Sequence, residues 1–404
     1  MTFTDVISQS PYPGAKKEEI AELFVGDLIY SDWETIFVQH RWLDAYPIFR
    51  FTAAERFDPI SGKPKLWETV QVKPGNLVAI KLGGELALVG HVLVRQTAYD
   101  ANSHAVSIQG VGLQWRVWRG HILDKSQEFK GGFKEVATQV LKPFGVAPVF
   151  KGEISDLEYE NGAHNETGDS VFQFLERIGR MRKVIMAADY EGNLVFVGDH
   201  EGDLVDDLTE GINIKSCQCV IKIEESHDLY VVRSQGQRSD NSSPPKAAQP
   251  DAMVRGSLPF YSPLLVAAEM PTQNQAELDL RAKFEANLGE GTIIEATVVV
   301  YGWFTRSGFL WAQLCGQDVT LNAPMTGLPP GFKLAIRSVT CTQDSQSGTQ
   351  TTLDLVAGWL LNDRGIGAPA PAPPAPGNAV STPATPAVAG NPLASETDPQ
   401  TGPG

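Results

Sequence analysis

Between Asp32 and Gly120 the apolar residues come in short runs rich in Val, Ile and aromatic side chains: WETIFVQHRW, YPIFRFTAAE, NLVAIKL, LALVGHVLVRQTAY and AVSIQGVG. Turn residues punctuate them at Pro74-Gly75, Gly83-Gly84 and Asp100 to Ser103. Runs this short, alternating in places and closed by turns, specify strands of a β-barrel or sandwich and not helices. A second such region opens near Ile212 with INIKSCQCVIKIEESHDLYVVRSQG. It resumes later as TIIEATVVVYGWF, GFLWAQLCG, FKLAIRSVTCT and TTLDLVAGWLL.

Helical periods appear in three places. In GGFKEVATQVLKPFGV, residues Phe133, Val136, Ala137, Val140 and Leu141 recur at helical spacing until Pro143 and Gly145 stop the pattern. The stretch GDSVFQFLERIGRMRKVIMAADYEGNLVFVGD, 168–199, predicts a helix and then a hairpin. Val171, Phe172, Leu175 and Ile178 share one face, Ser170 with Gln173 forms a capping box, and Glu176 to Arg180 is a favourable i,i+4 pair. Gly192 supplies the positive φ of the turn. Beyond the aperiodic loop RSDNSSPPKAAQPDA, a third helix aligns Ala276, Leu280, Phe284 and Leu288, with Glu277 to Arg281 and Asp279 to Lys283 on its other face and Gly289 at its end.

The whole reads as α+β, mainly β. The expected divisions are an N-terminal arm (1–24), a first barrel (25–125), a small α/β unit (126–208) and a second barrel (209–365). The second barrel carries an inserted loop (235–263) and a helix (273–289). The last segment, 366–404, holds 10 of the 27 prolines with only Glu396 and Asp398 as charges, and buries too little to order itself, so a flexible tail is expected.

With 33 basic and 48 acidic side chains the net charge is −15, which argues against tight binding of DNA or RNA. The longest nearly apolar run, Leu86 to Val94, is interrupted by His91 and falls far below the roughly 20 residues of a membrane helix. No Sec-type leader is visible in MTFTDVISQSPYPGAKKEE. The four cysteines, Cys217, Cys219, Cys315 and Cys341, are too irregular for a disulfide framework and read as reduced thiols.

Four arrangements bear on chemistry or ligand binding. Gly168-Asp169-Ser170 matches the opening of a GDS-type esterase block, but no Asp-x-x-His lies near the C-terminus to activate the serine, so Ser170 reads as a helix cap. Glu160 and Asp169 have the Glu-x8-Asp spacing of one class of phage lysozymes, yet Leu175 stands where that motif has Thr. The seven histidines (40, 91, 104, 121, 164, 200, 227) and the Cys217-x-Cys219 pair make no zinc spacing. The tryptophans, Trp33, Trp42, Trp115, Trp118, Trp303 and Trp311 among them, fit barrel cores and interfaces better than a sugar platform. No catalytic, cofactor or metal residue is assigned.

The two β-rich regions can be overlaid at an offset of 244, with Leu66-Trp67 on Leu310-Trp311, Leu77 on Leu321, Asp100 on Asp344 and Ser103 on Ser347. Only seven identities fall in 66–110, so duplication and two unrelated β-domains with similar turns both stay open.

The LVRQTAYDANSHAVSIQGVGLQWRVW hairpin, the GGFKEVATQVLKPFGV helix, FQFLERIGR…DYEGNLVF and the later GFLWAQ segment together resemble the hub proteins of contractile phage tail baseplates, those of Mu-like phages in particular. More loosely they resemble the N-terminal part of type VI secretion spikes. The resemblance covers about residues 25–362. It implies two tube-protein-like barrels per chain and a homotrimer of pseudo-sixfold symmetry that joins the hexameric tail tube to the trimeric central spike. It implies as partners the spike, the distal tube or tube-initiator protein, baseplate wedge proteins and the tape-measure protein, with DNA passing through the lumen untethered. The place would be the virion, after assembly in the host cytoplasm. A rival from another class is a tail-associated cell-wall hydrolase or carbohydrate-binding protein; peptidoglycan turnover abolished by Glu160→Gln would mark it. A secreted type VI-like spike would need a repetitive needle after the barrels, which the tail from Ile366 lacks.

Overall fold

The computed structural model describes residues 17–42, 46–54, 72–99, 104–123, 128–159, 162–198, 202–234, 250–269 and 274–358, all within one compact unit, Met1–Ala368. Expectations at Leu66, Trp67, Asp100, Ser103, Glu160, most of the N-terminal arm, much of the inserted loop and the 366–404 tail lie outside the described residues.

Seven strands come first: β1 (Ala21–Val25), β2 (Leu28–Tyr30), β3 (Thr35–Arg41), β4 (Ile48–Ala54), β5 (Leu77–Leu82), β6 (Glu85–Tyr99) and β7 (His104–Gly112). A short helix α1 (Trp115–Arg119), on which the strand pattern is silent, turns the chain into a helix–hairpin unit. That unit comprises β8 (Glu128–Phe129), α2 (Phe133–Leu141), β9 (Pro148–Lys151), β10 (Ala163–His164), α3 (Val171–Arg180), β11 (Ile185–Ala188) and β12 (Leu194–Val197). Then follow β13 (Leu204–Thr209), β14 (Ile214–Ile221), β15 (Leu229–Arg233), β16 (Asp251–Arg255), β17 (Pro263–Ala267), α4 (Gln275–Gly291), β18 (Ile294–Tyr301), β19 (Asp318–Asn322), β20 (Phe332–Asp344) and β21 (Gly348–Val356).

Thirteen of these strands form one sheet in the order β14-β18-β21-β20-β3-β4-β7-β6-β5-β1-β2, with β19 also on β20 and β13 on β19. The mainly-β architecture in two strand sets, separated by a helix–hairpin unit, is therefore present. Among the described residues the pairing path stays open instead of closing into separate barrels, and antiparallel β3·β20 welds the sets edge to edge. One apolar core runs through both, from Leu23, Phe51 and Ile80 to Trp303, Trp311 and Leu353. Inward positions alternate as strand geometry requires: Ile36, Val38 and His40 on β3, and Ile294, Ala296, Val298 and Val300 on β18.

The two sets share their strand order. Reading β3-β4-β7-β6-β5 against β14-β18-β21-β20-β19 gives the same succession of antiparallel neighbours. The cross-strand row Ile36–Phe51–Ile108–Arg95 has its counterpart in Cys217–Val298–Leu353–Val339. The next row, Val38–Phe49–Gly110–Val92, matches Cys219–Ala296–Leu355–Ile336. The long strand of each set carries a register shift, at Val92/Val94 and at Ile336/Ser338, and these two places are 244 residues apart. A bulge kept at the same point in both copies is a specific feature and not a by-product of pairing.

The helix–hairpin unit has its own core of Phe133, Val140, Phe174, Leu175, Ile178 and Phe196. Pro143 and Gly145, at φ 62°, close α2 as expected. The parallel pairing of β12 with β9 puts Phe150 against Phe196, ring centroids 5.4 Å apart. The hairpin tip is tied to the first strand set. Buried Gln114 donates to the carbonyls of Asp189 and Asn193 at 3.0 and 2.9 Å, and the Val89 amide donates to Tyr190 at 3.0 Å. Gly192 sits at φ 97°, against Leu113.

The insert differs from expectation. Part of the expected loop holds β16, and β16-β15-β17 is a three-stranded sheet packed on α4. Only part of the stripe expected on α4 is buried, and the helix runs past Gly289 to Gly291. Phe284 is buried and Leu280 half-buried, but Ala276 and Leu288 are exposed, while Leu278, Ala282 and Ala286 are buried, and so are Glu277 and Arg281. Those two charges do not pair with each other. Glu277 meets buried Arg182 at 2.6 Å and Arg281 is held by Glu269 at 2.6 and 2.7 Å and by Glu285. Ion pairing with groups outside the helix is what admits them to a buried face.

Candidate assembly surfaces

Ser170 and Asp169 hold local structure. Ser170 caps α3: its Oγ accepts from the Gln173 amide at 3.2 Å, and its own amide donates to Gln173 Oε1 at 2.9 Å. Nearby His121 turns Nδ1 to the Asp169 carbonyl at 2.9 Å, not to the serine hydroxyl. The Asp169 carboxylate accepts from Arg177 at 2.8 Å and from the Glu166 amide at 3.3 Å, which closes the loop before the helix. Leu175 is buried in the helix core.

The histidines and cysteines are dispersed. His40 is buried with Nε2 on the Ala87 carbonyl at 2.8 Å, and burial lowers its pKa to about 4. His91 meets Arg116 at 2.9 Å, and His227 meets the Ser262 carbonyl at 3.0 Å. Among the described residues no three His, Cys, Asp or Glu side chains gather as a metal set. All four cysteines are free thiols. Burial pushes Cys341 up to about 12 and raises Cys217 and Cys219, the opposite of what activates a thiol. Trp42, Trp303 and Trp311 are buried, and Trp118 packs on Phe172 with centroids 5.0 Å apart.

What the surface offers instead is edges and uncovered sheet. On β15–β17 the row Met253–Val231–Leu265 lies on the face away from α4, with Met253 and Leu265 each 59% exposed. Strand β14 ends the sheet path, and Val220, Ile221 and Ile223 are exposed on and just past it. Next to its start, an open depression of about 610 Å³ is lined by Thr209, Glu210, Gly211, Asn322, Pro324, Met325 and Pro330. Apolar side chains on a sheet edge and a bare sheet face are features of a subunit that packs against other subunits. The sequence pattern hid these surfaces, because Val220, Ile221, Met253 and Leu265 read as ordinary strand residues whose exposure only the fold reveals.

Residues 122–198 match the family model described as baseplate hub protein gp44-like, second domain. The match coincides with the helix–hairpin unit and meets the resemblance drawn from FQFLERIGR and DYEGNLVF. Over 297 residues the chain is 22% identical to the baseplate hub protein gp44 of Escherichia phage Mu, an overlap of 70% of this chain and 75% of that one. Its fold is similar to that of the 43 kDa tail protein of prophage MuSo2 from Shewanella oneidensis. That likeness has a TM-score of 0.70 at 20% identity and covers 85% of this chain and 99% of the other. An E. coli component of the type VI secretion system is similar at TM-score 0.50 and 11% identity, over 83% of this chain and 76% of that one.

Proposed function

We propose that this chain is the baseplate hub of a phage tail: a homotrimer that joins the hexameric tail tube to the trimeric central spike and lines part of the DNA channel. The observation that carries the proposal is the duplicated strand set with its shared bulge. Three chains with two equivalent sets each present six similar units around one axis, which is what an adaptor between sixfold and threefold partners requires. The likeness to the Mu hub supplies the tail context. The net charge of −15 suits a wall that phosphates should pass without sticking. Work is done by buried interfaces and not by chemistry, consistent with the structural roles of Ser170, Asp169 and the cysteines. End-on electron-microscopy averages of the assembled chain test the reading: a six-lobed ring around a central hole is expected, and a solid or twofold particle would refute it.

A further inference from the structure

Strand β20 has two pairing partners on one side. Its first part, Phe332–Ala335, takes β19, and beyond the bulge Ser338–Gln343 takes β3. Strand β6 begins in the same way: residues up to His91 take β5. Beyond its bulge, Val94–Tyr99 is paired with β7 alone among the described residues. Val94 is 46% exposed, whereas Ser338, its counterpart 244 residues on, is 2% exposed under β3.

The complementary half of this contact is also bare. Strand β3, flanked by β4 and β20, corresponds to β14, which among the described residues has β18 alone as a strand partner over Ser216–Ile221. Ile36 and Val38 are 4% and 0% exposed, but Cys217 and Cys219 at the matching places are only partly buried. Ile221, matching buried His40, is 60% exposed. Among the described residues the chain therefore carries one filled junction and both halves of a second that no other strand fills. A row of unpaired amides and carbonyls beside β-branched side chains is a template for another strand.

We infer that β14 of one copy pairs antiparallel with Val94–Tyr99 of β6 in the next copy, repeating between chains the β3·β20 junction within the chain. The register follows from Ser338↔Arg41 through Gln343↔Ile36. Transferred to the matching residues, it sets Thr97 opposite Cys219, Arg95 opposite Ile221 and Val94 opposite Lys222, with no like charges facing each other. Such a contact joins two different surfaces, so it propagates in one direction and closes into a ring when the rotation permits. The inference rests on the hub reading for the number of chains in the ring, while the pairing itself rests on the duplication.

The native thiol supplies the test. Residues facing each other in an antiparallel pair have Cα atoms about 4.5–5.5 Å apart, within the disulfide range. The full-length chain carrying Thr97→Cys, with Cys217→Ser to remove the neighbouring thiol, is oxidised mildly. Products are resolved on a non-reducing denaturing gel beside native mass spectrometry. Covalent dimers and trimers are expected, about tenfold or more above an Ala98→Cys control whose side chain points to the opposite face, and lost in Cys219→Ser. Native trimers with no Thr97→Cys link, or with equal linking in the Ala98→Cys control, would overturn the junction and leave the hub reading standing. Dimers linked Cys219 to Cys219 would replace it with a twofold edge contact. Monomers at every concentration would overturn both.

Discussion

Strands β3 and β14 occupy the same place in their two sets and meet different fates. β3 is sealed by β20 and buries Ile36, Val38 and His40; β14 has the same inward pattern in Cys217, Cys219 and Ile221 but, among the described residues, no outer strand to cover it. The strands themselves do not make the difference, since both have an equivalent inner neighbour and an equivalent core row. It lies in whether the chain supplies the second partner. The contrast separates what holds one subunit together from what is left over for assembly.

The largest effect should come from placing the same charge on both strands. Val38→Asp buries a carboxylate at a fully covered site and should cost more than about 4 kcal/mol, enough to unfold a domain of ordinary stability. Cys219→Asp, its counterpart, should cost about 1 kcal/mol or less in the isolated chain and still block its association. Urea unfolding of the two variants, with sizing of the second, measures both; similar losses would erase the distinction between the edges.

The insert belongs to the second set alone, and its seam with the helix–hairpin unit includes the buried Arg182–Glu277 pair. Glu277→Leu strands a buried guanidinium that also lies over the Tyr159 ring at 4.5 Å, so a loss of about 3–4 kcal/mol is expected in chemical unfolding. Replacing both partners, Arg182→Met with Glu277→Leu, should recover most of it.

His40 marks the sealed junction, and Ile221 stands at the matching place on the open edge. The folded pKa of about 4 lies below the unfolded value near 6.5, so the unfolded chain takes up the proton first as pH falls. Stability from this group is intact above pH 6.5 and declines by about 1.4 kcal/mol per pH unit down to about 4. A His40→Gln variant should lack that slope when its unfolding free energy is followed against pH; an unchanged slope would remove His40 from the account. Smallest is the helix cap, where Ser170→Ala should cost about 1 kcal/mol in thermal unfolding.

Much of this fold is legible in the residues, because each local pattern has a physical cause that tertiary structure did not override. Pro143 and Gly145 end α2, Ser170 with Gln173 caps α3, Gly192 turns the hairpin, and Asp344 binds the Gln346 and Ser347 amides in the expected Asp-x-x-Ser turn. The duplication was far less visible, and the core rows show why. Where the first set packs Phe49 over Gly110, the second packs Ala296 against Leu355, so bulk has moved from one strand to its neighbour. A Cβ on Gly110 would clash with the His91 carbonyl and with the Phe49 ring, so the size at this position is coupled to Phe49. Compensating volumes preserve the packing while removing identities. The buried face of α4 escaped for a related reason. Helical periodicity scores Glu277 and Arg281 as solvent-facing, whereas Arg182, which pairs with Glu277, and Glu269, which with Glu285 holds Arg281, come from elsewhere in the chain.

The central claim is that two sets per chain and three chains complete a ring. Native mass spectrometry of the purified full-length chain across a concentration series tests it most directly. A species of three times the 43.8 kDa chain mass, replacing the monomer as concentration rises without a long-lived dimer, is the predicted result. A monomer throughout, or a dimer that never adds a third chain, would contradict it.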